Sequence, residues 1–334
     1  MYLAPLNYDR YFKKVFKDTR IAKRFLEDFF DTKIESLETL EMYYKITDDA
    51  YAVEFDFRCK IDGQYVIIDM QQWYKPDIVN RFYTYHCINT GLQLEDMPFK
   101  TIWIEKEKEK KIKDYRELLP VITLIWMVQD TLNFTEDYVT YTMTPEIVLD
   151  FINNKLLWDN ENIKAILKER ENAILQLRND TKGLDFLGKN KLIYAFQKNI
   201  VKNKKYKKYY PWFELAQKTL NKANKKSEFL KYTEDEIFVE LMRRISKEIL
   251  DKEDYTYIDN YEKFMERVKR YDKGVFDDGK KEGKKEGKKE GRNEGEKIGV
   301  EKVVIQMIKQ GEPDNKIIQY TGLTIKDIEK LRSF

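Results

Sequence analysis

The stretch Val53-Glu54-Phe55-Asp56-Phe57-Arg58-Cys59 alternates strictly between apolar and polar side chains, which is the period of a half-buried strand. Ile61-Asp62-Gly63-Gln64 follows, and Asp-Gly signals a two-residue hairpin turn because both central positions need positive φ. Tyr65 to Gln71 then reads as the return strand. Counting outward from the Ile61/Gln64 pair sets Cys59 opposite Val66, Phe57 opposite Ile68, Asp56 opposite Asp69 and Glu54 opposite Gln71. Asp69 and Gln71 share a face because they are two apart. Directly opposed residues have Cβ atoms roughly 4.5–5.5 Å apart, so four oxygen-bearing side chains converge on one side of the hairpin.

Opposed carboxylates repel, and a strand pair does not select them for stability. A hard divalent cation relieves the repulsion, and Mg²⁺ or Mn²⁺ favours carboxylate oxygen with retained waters. Such an ion activates water and stabilises charge on a phosphodiester. The competing reading is a solvated face, which antiparallel sheets often carry. Alternation and turn chemistry leave both open.

Around the hairpin, Phe12 and Phe16, then Phe25, Leu26, Phe29 and Phe30, recur at helical spacing over Asp9 to Phe16 and Ile21 to Phe30. Pro76 precedes a helix expected over Asp77 to about Asn89. Phe99 to Ile104 and Val121 to Val128 are further strands, separated by a charged loop from Glu105 to Lys113. Pattern divides the chain into four parts. Residues 1–135 mix helical and strand periods, and residues 136–275 read as helical throughout. Residues 276–299 are a Gly/Lys/Glu low-complexity stretch, and residues 300–334 a C-terminal helix-turn-helix-like segment.

The chain has 334 residues, 36% charged and 42% hydrophobic with 14% aromatic, which is enough to pack a core despite the charge. The formal charge of +3 is close to balance, so any nucleic-acid contact has to come from a local patch. Two cysteines, Cys59 and Cys87, make no disulfide framework and suit a reducing cytoplasm. No secretory h-region is apparent, and the apolar run Leu118 to Val128, broken by Pro120 and Thr123, is too short to span a bilayer. A cytoplasmic protein without a membrane partner is expected. His86 is the single histidine, which excludes His-based triads, multi-His zinc sites and an HNH-type nuclease. No P-loop or dinucleotide-binding glycine pattern occurs.

Four segments resemble the Rpn family of recombination-promoting, transposase-like nucleases, within the PD-(D/E)xK superfamily. YDRYFKKVF at Tyr8 to Phe16 is similar to the family's opening segment, and EFDFRCKIDGQYVIIDMQQ at Glu54 to Gln72 to its D…(D/E)-x-Q core. Arg81, Tyr85 and Gly91 match the following helix, LLPVITLIWM at Leu118 to Met127 the next strand, and the Gly-x-x-Glu run is common in relatives. The resemblance implies an α/β core with a mixed central sheet flanked by helices, and Mg²⁺-dependent DNA endonuclease activity through metal-activated water. It casts Asp56 and Asp69 as metal ligands, Asp9 as a third, and Gln71 as a group orienting water or phosphate. Recombination, transposition or phage defence are the settings it suggests. Asp69 stands where close relatives often carry Glu. Gln71 lacks the positive charge of the Lys found in many related nucleases, which lowers the expected rate. The alternative is a catalytically weak or inactive protein that binds DNA or oligomerises.

Two further groups are candidate DNA contacts. Arg81 and Tyr85 lie four apart on one helical face, suited either to a phosphate backbone or to an Arg packed over an aromatic. Lys204, Lys205, Lys207 and Lys208 interleave with tyrosines, which fits a phosphate-tracking, base-stacking surface or a plain solvated face. Glycines at 279, 283, 287, 291, 295 and 299 each cost a helix roughly 1 kcal/mol, so this stretch is expected as a flexible linker, or a marginal helix where a partner chain packs on the stripe. Pro313 and the Thr324/Asp327 capping box then frame a helix pair that serves either DNA binding or homodimerisation. A homo-oligomer, a dimer in the simplest case, is expected.

Overall fold

The computed structural model describes residues 1–45, 52–105, 108–159, 163–178, 184–204 and 206–332. The aromatic spacing near the start forms α1 (Asp9–Phe16) and α2 (Thr19–Phe30). Asp18 starts α2 by accepting from the Arg20 amide, and Asp31 ends it in the left-handed region. Three short strands follow, β1 (Leu37–Thr39), β2 (Tyr43–Tyr44) and β3 (Val53–Glu54). The hairpin strands are β4 (Phe57–Ile61) and β5 (Gln64–Gln71), with Phe57 opposite Ile68, Cys59 opposite Val66 and Ile61 opposite Gln64, as counted. Asp62 and Gly63 make the turn with φ of 29° and 79°. The Asp62 carboxylate also accepts from the Glu35 and Ser36 amides, fixing the turn against the approach to β1.

The helix expected from Asp77 is α3 (Ile78–Asp96), a residue later in onset and longer than expected. β6 (Phe99–Glu105) pairs with β7 (Lys108–Lys113), so the lysine-rich segment expected as a loop supplies a hairpin strand. β8 (Val121–Met127) lies parallel to β5 and is buried along its whole length. The stretch expected to be all-helical then departs from expectation. It opens with β9 (Tyr138–Tyr141), runs through α4 (Glu146–Asn153), α5 (Lys155–Asp159), α6 (Ile163–Arg178) and α7 (Asp185–Lys189), and returns as β10 (Lys191–Phe196). β10 pairs parallel with β8 and antiparallel with β9. Its six residues, Lys-Leu-Ile-Tyr-Ala-Phe, form a short apolar run because an interior parallel strand is covered on both faces, and periodicity cannot separate such a run from a helix. The six-stranded mixed sheet has the order β1-β4-β5-β8-β10-β9. α8 (Gln197–Asn203), α9 (Tyr210–Thr219) and α10 (Glu236–Arg244) follow.

Helices cover both faces of this sheet. On one, Ile78 and Phe82 of α3 bury Ile125, Met127, Tyr194 and Phe196. On the other, Trp126 stacks on Phe25 at 5.4 Å and meets Phe12 edge-on at 5.9 Å, with Phe213 of α9 at 4.2 Å. A buried polar network crosses this aromatic layer. The Gln197 side-chain oxygen accepts from the Trp126 indole at 2.7 Å and from Asn7 at 3.1 Å, and the Gln72 amide donates to the Asn7 carbonyl. Asn224 closes on the Leu3 backbone in both directions, so the segment before α1 is pinned by residues far along the chain. Met1 to Ile258 form one compact unit, and the division expected after residue 135 falls inside it.

The remaining unit covers residues 259–334, and the division falls within α11 (Lys252–Lys309), a single 58-residue helix. The Gly/Lys/Glu stretch is helical here, the second of the two forms expected for it. Open space surrounds the glycines at 283, 287, 291, 295 and 299. α12 (Asp314–Thr321) and α13 (Ile325–Arg332) bury Ile317 and Ile328 with Val304 of α11. Gly322 ends α12 at φ 70°, and the expected capping box forms, Thr324 and Asp327 each accepting from the other's amide. Among the described residues no helix is long and apolar enough to cross a membrane.

Two stability changes follow from this backbone. Gly63→Val places a β-branched side chain at positive φ and should cost about 1–2 kcal/mol, read as a lower urea midpoint at unchanged slope. Gly287→Ala meets open space and should gain roughly 1 kcal/mol of helix stability, read as increased helical circular dichroism of the full chain on heating.

Candidate active site at the end of the hairpin

The last paired residues of the β4–β5 ladder are Phe57 and Ile68, and the chain bends at Asp56. Asp56 and Asp69 meet, as counting predicted, although through a reciprocal bridge in place of a ladder pair. The Asp56 amide donates to Asp69 Oδ1 at 3.3 Å, and Asp56 Oδ2 accepts from the Met70 amide at 2.8 Å. The bend has a second effect. It sends Glu54 into β3 opposite Tyr43, with the Phe55 amide donating to the Met42 carbonyl. Glu54 therefore does not face Gln71, which corrects the expected four-oxygen face.

Glu54 returns to the cluster through a residue that sequence reasoning passed over. The Lys13 ammonium, one turn along α1 from Asp9, lies 2.6 Å from Glu54 Oε1, 3.0 Å from Asp9 Oδ1 and 3.6 Å from Asp56 Oδ1. Burial alone would lower the Lys13 pKa, but the hydrogen bond to Glu54 and the charges of Asp56 and Asp9 outweigh it and hold the ammonium well above its ordinary value. The Asp9/Lys13 spacing of four was a legible signal for this pair.

Gln71 is buried and spoken for on both ends. Its amide donates to the Trp73 carbonyl at 2.7 Å, and its oxygen accepts from the Arg81 guanidinium. Arg81 lies 4.6 Å over the Phe82 ring, and its buried Nε has no hydrogen-bond partner among the described residues. Tyr85, edge-on to Phe55 at 5.3 Å, has its hydroxyl pKa raised by burial first and then by Asp69, Asp56 and Glu54. Arg81 thus packs over an aromatic ring, one of the two roles expected of it, while its charge and the Tyr85 hydroxyl are both felt at the acids. The lysine run is placed elsewhere. Lys204 ends α8 in the left-handed region, and Lys207 and Lys208 line a cavity with Asp28, Asp31 and Asp137. Lys208 is paired to Asp31 at 2.5 Å, so this wall mixes charges. Lys205 lies outside the described residues. His86 is buried, hydrogen-bonded through Nδ1 to Thr123 Oγ1 at 3.0 Å, and takes no part in the acid cluster.

No family model, curated protein or solved structure matches this chain. The chemistry of the site is consequently read from its own geometry. Asp56 is raised well above the usual carboxylate range by burial, by Asp69 and by Asp9, against the opposing pull of the Met70 amide and Lys13. Asp69 is raised by burial, with its bond to the Asp56 amide and the Arg81 and Lys13 charges opposing. Asp69 Oδ2 is buried and has no hydrogen-bond partner among the described residues. Two adjacent desolvated carboxyls, one with an oxygen that has no partner among the described residues, are the oxygen donors a hard divalent ion would take, at Asp56 and Asp69. Asp9 is held by Lys13, and among the described residues no group of three His, Cys, Asp or Glu side chains is arranged to hold a metal.

Because both carboxyls are held above their unfolded values, they favour the folded state in acid, and that contribution is lost as the pH rises through their raised pKa. Asp69→Asn removes one charge and keeps an Oδ1 acceptor for the Asp56 amide. Its melting temperature should exceed that of the parent by about 2–4 °C at pH 8, and the gap should close toward pH 4. Circular dichroism melts across that range measure it, and a variant less stable at pH 8 refutes the electrostatic account.

Proposed function

We propose that this chain is a Mg²⁺-dependent DNA endonuclease of the Rpn, transposase-like type, built on a PD-(D/E)xK-like core, with Mn²⁺ able to substitute. The observation that carries the proposal is the buried Asp56–Asp69 bridge with its unpartnered Asp69 Oδ2. Its setting supports the same reading, since Asp69 lies on β5 beside β8 in the interior of a mixed sheet with helices on both faces. Asp56 and Asp69 would hold the ion, with Asp9 approaching through α1. A bound ion supplies Lewis-acid stabilisation of a phosphodiester and a source of activated water. The chain's own residues do the positioning. Gln71 accepts from Arg81 and so aims a guanidinium at the position where a DNA phosphate would meet Asp69. Tyr85 adds a hydroxyl on the same side. Lys13 keeps Asp9 and Glu54 from adding uncompensated negative charge beside a polyanion. In this reading Gln71 contributes indirectly, and the fixed positive charge is that of Arg81. Acting on DNA as a homo-oligomer, with the α12–α13 pair serving DNA binding or homodimerisation, belongs to the same proposal.

One observation favours a second reading, a weak or inactive DNA-binding or oligomerising protein. Lys13 already lies within ion-pair distance of three of the acids, so one positive charge is in place without any metal.

Purified full chain incubated with supercoiled plasmid and Mg²⁺ should yield nicked or linear product. Asp69→Ala should abolish it, and Arg81→Gln should slow it on the order of 10²-fold. Mg²⁺ should raise the melting temperature of the parent and leave that of Asp69→Ala unchanged. Cleavage surviving Asp69→Ala overturns the site assignment. Salt-sensitive plasmid retention without cutting in Mg²⁺ or Mn²⁺ supports the second reading.

A further inference from the structure

α3 is used on two flanks. At 3.6 residues per turn, Arg81 and Tyr85 fall on the flank facing the acids, and Val79, Tyr83 and His86 fall on the other. Between that second flank, the end of β9 and the start of β10 lies a cavity of about 380 Å³. We propose that this cavity is a binding site for a small uncharged molecule, apolar over most of its surface and carrying one hydroxyl or carbonyl.

The volume falls in the range of small-molecule pockets. Val79, Leu132, Met143 and Leu192 supply apolar wall, and among the described residues the lining contains no Asp, Glu, Lys or Arg. Burial pushes the His86 imidazole down to about 4, so it is neutral at physiological pH, and pushes the Tyr194 hydroxyl up to about 12. A charged ligand would lose its hydration here and gain no counter-charge, which excludes phosphates, nucleotides and carboxylates. The polar wall groups divide into committed and open. Asn190 is spent on the Val121 amide and the Phe186 carbonyl, and the Thr142 hydroxyl on the Gly188 and Asn190 carbonyls. Tyr194, only 3% exposed, has a buried hydroxyl with no hydrogen-bond partner among the described residues. Native structures rarely leave such a group unpaired, and a ligand hydroxyl or carbonyl satisfies it. His86 uses Nδ1 on Thr123, so its ring is fixed at the cavity wall. The half-exposed Tyr141 ring stands edge-on to Tyr194 at 6.1 Å and belongs to the same wall. The site stands independently of the nuclease reading, because none of the acid-cluster residues lines it.

4-Fluorophenol titrated into the full chain and followed by ¹⁹F NMR provides the test, with 4-fluorobenzoate as the anionic control. Saturable binding of the phenol is expected, with at least tenfold weaker binding of the benzoate. Val79→Trp, a substitution at a half-exposed helical position, fills the cavity and should abolish binding. Met143→Trp does the same from the opposite wall and replaces Val79→Trp as the readout if that variant misfolds. Tyr194→Phe should weaken binding about five- to tenfold by deleting the open hydroxyl. Absence of saturable phenol binding, equal binding of the benzoate, or binding unchanged in the filled variants overturns the proposal. So does a change of oligomeric state in the filled variants by sedimentation, which would assign the cavity to a second copy of the chain.

Discussion

Gln197 ties the segment before α1 to the aromatic layer, alongside the contacts of Thr219, Asn224 and Ile245. Its side-chain oxygen takes hydrogen bonds from Trp126 in the aromatic layer and from Asn7 just before α1, and Asn7 in turn receives Gln72 at the end of β5. Buried amides of this kind are costly when half-satisfied and strongly orienting when complete. Here the orientation sets the height of α1 relative to the end of β5. Asp9 and Lys13 ride on the first of these, Asp69 and Gln71 on the second. The acid cluster is therefore a consequence of a neutral hydrogen-bond network located behind it.

The electrostatics of the cluster involve two cations, Lys13 and Arg81. Lys13 draws in Asp9, Glu54 and Asp56 from three separate elements. Arg81 is held by Gln71 and opposes the burial-driven rise of Asp69. Neither cation forms a salt bridge with Asp69, whose second oxygen is left without a partner. Burial of an unpaired carboxyl oxygen is unfavourable for the fold, and such strain is characteristic of groups retained for binding or chemistry.

Much of the hairpin was legible because the Asp-Gly turn turns register into counting. Phe57 opposite Ile68 and Asp56 beside Asp69 needed only the two-residue period. Glu54 was misplaced because alternation continues through Phe55 and Asp56, whereas the backbone bends there, and a bend leaves no mark on a polar/apolar pattern. Lys13 was passed over because its role depends on three acids distant in sequence, of which only Asp9 is visible at helical spacing. Gln71 was read as a group facing substrate, and its actual partner, Arg81, is ten residues on across a turn whose path the sequence did not define. β10 was hidden by being fully interior, since Leu192 to Phe196 show no polar face to set a strand period. Helix propensity left the glycine run open between a linker and a marginal helix, because propensity alone does not decide between them, and the chain is helical through it.

The place of β10 in the sheet has a consequence for synthesis. β8 is complete at Met127, but its second neighbour arrives only with Lys191 to Phe196, after four intervening helices. The segment carrying Asp9 is fastened later still, by Thr219, Asn224 and Ile245. On the ribosome, then, β4 and β5 can pair early and bring Asp56 to Asp69, while the segment that carries Asp9 and Lys13 is fastened only after the chain has grown past residue 245. The lysine that joins Asp9, Glu54 and Asp56 is in this way the last member of the cluster to be set in place, once most of the first unit has been made.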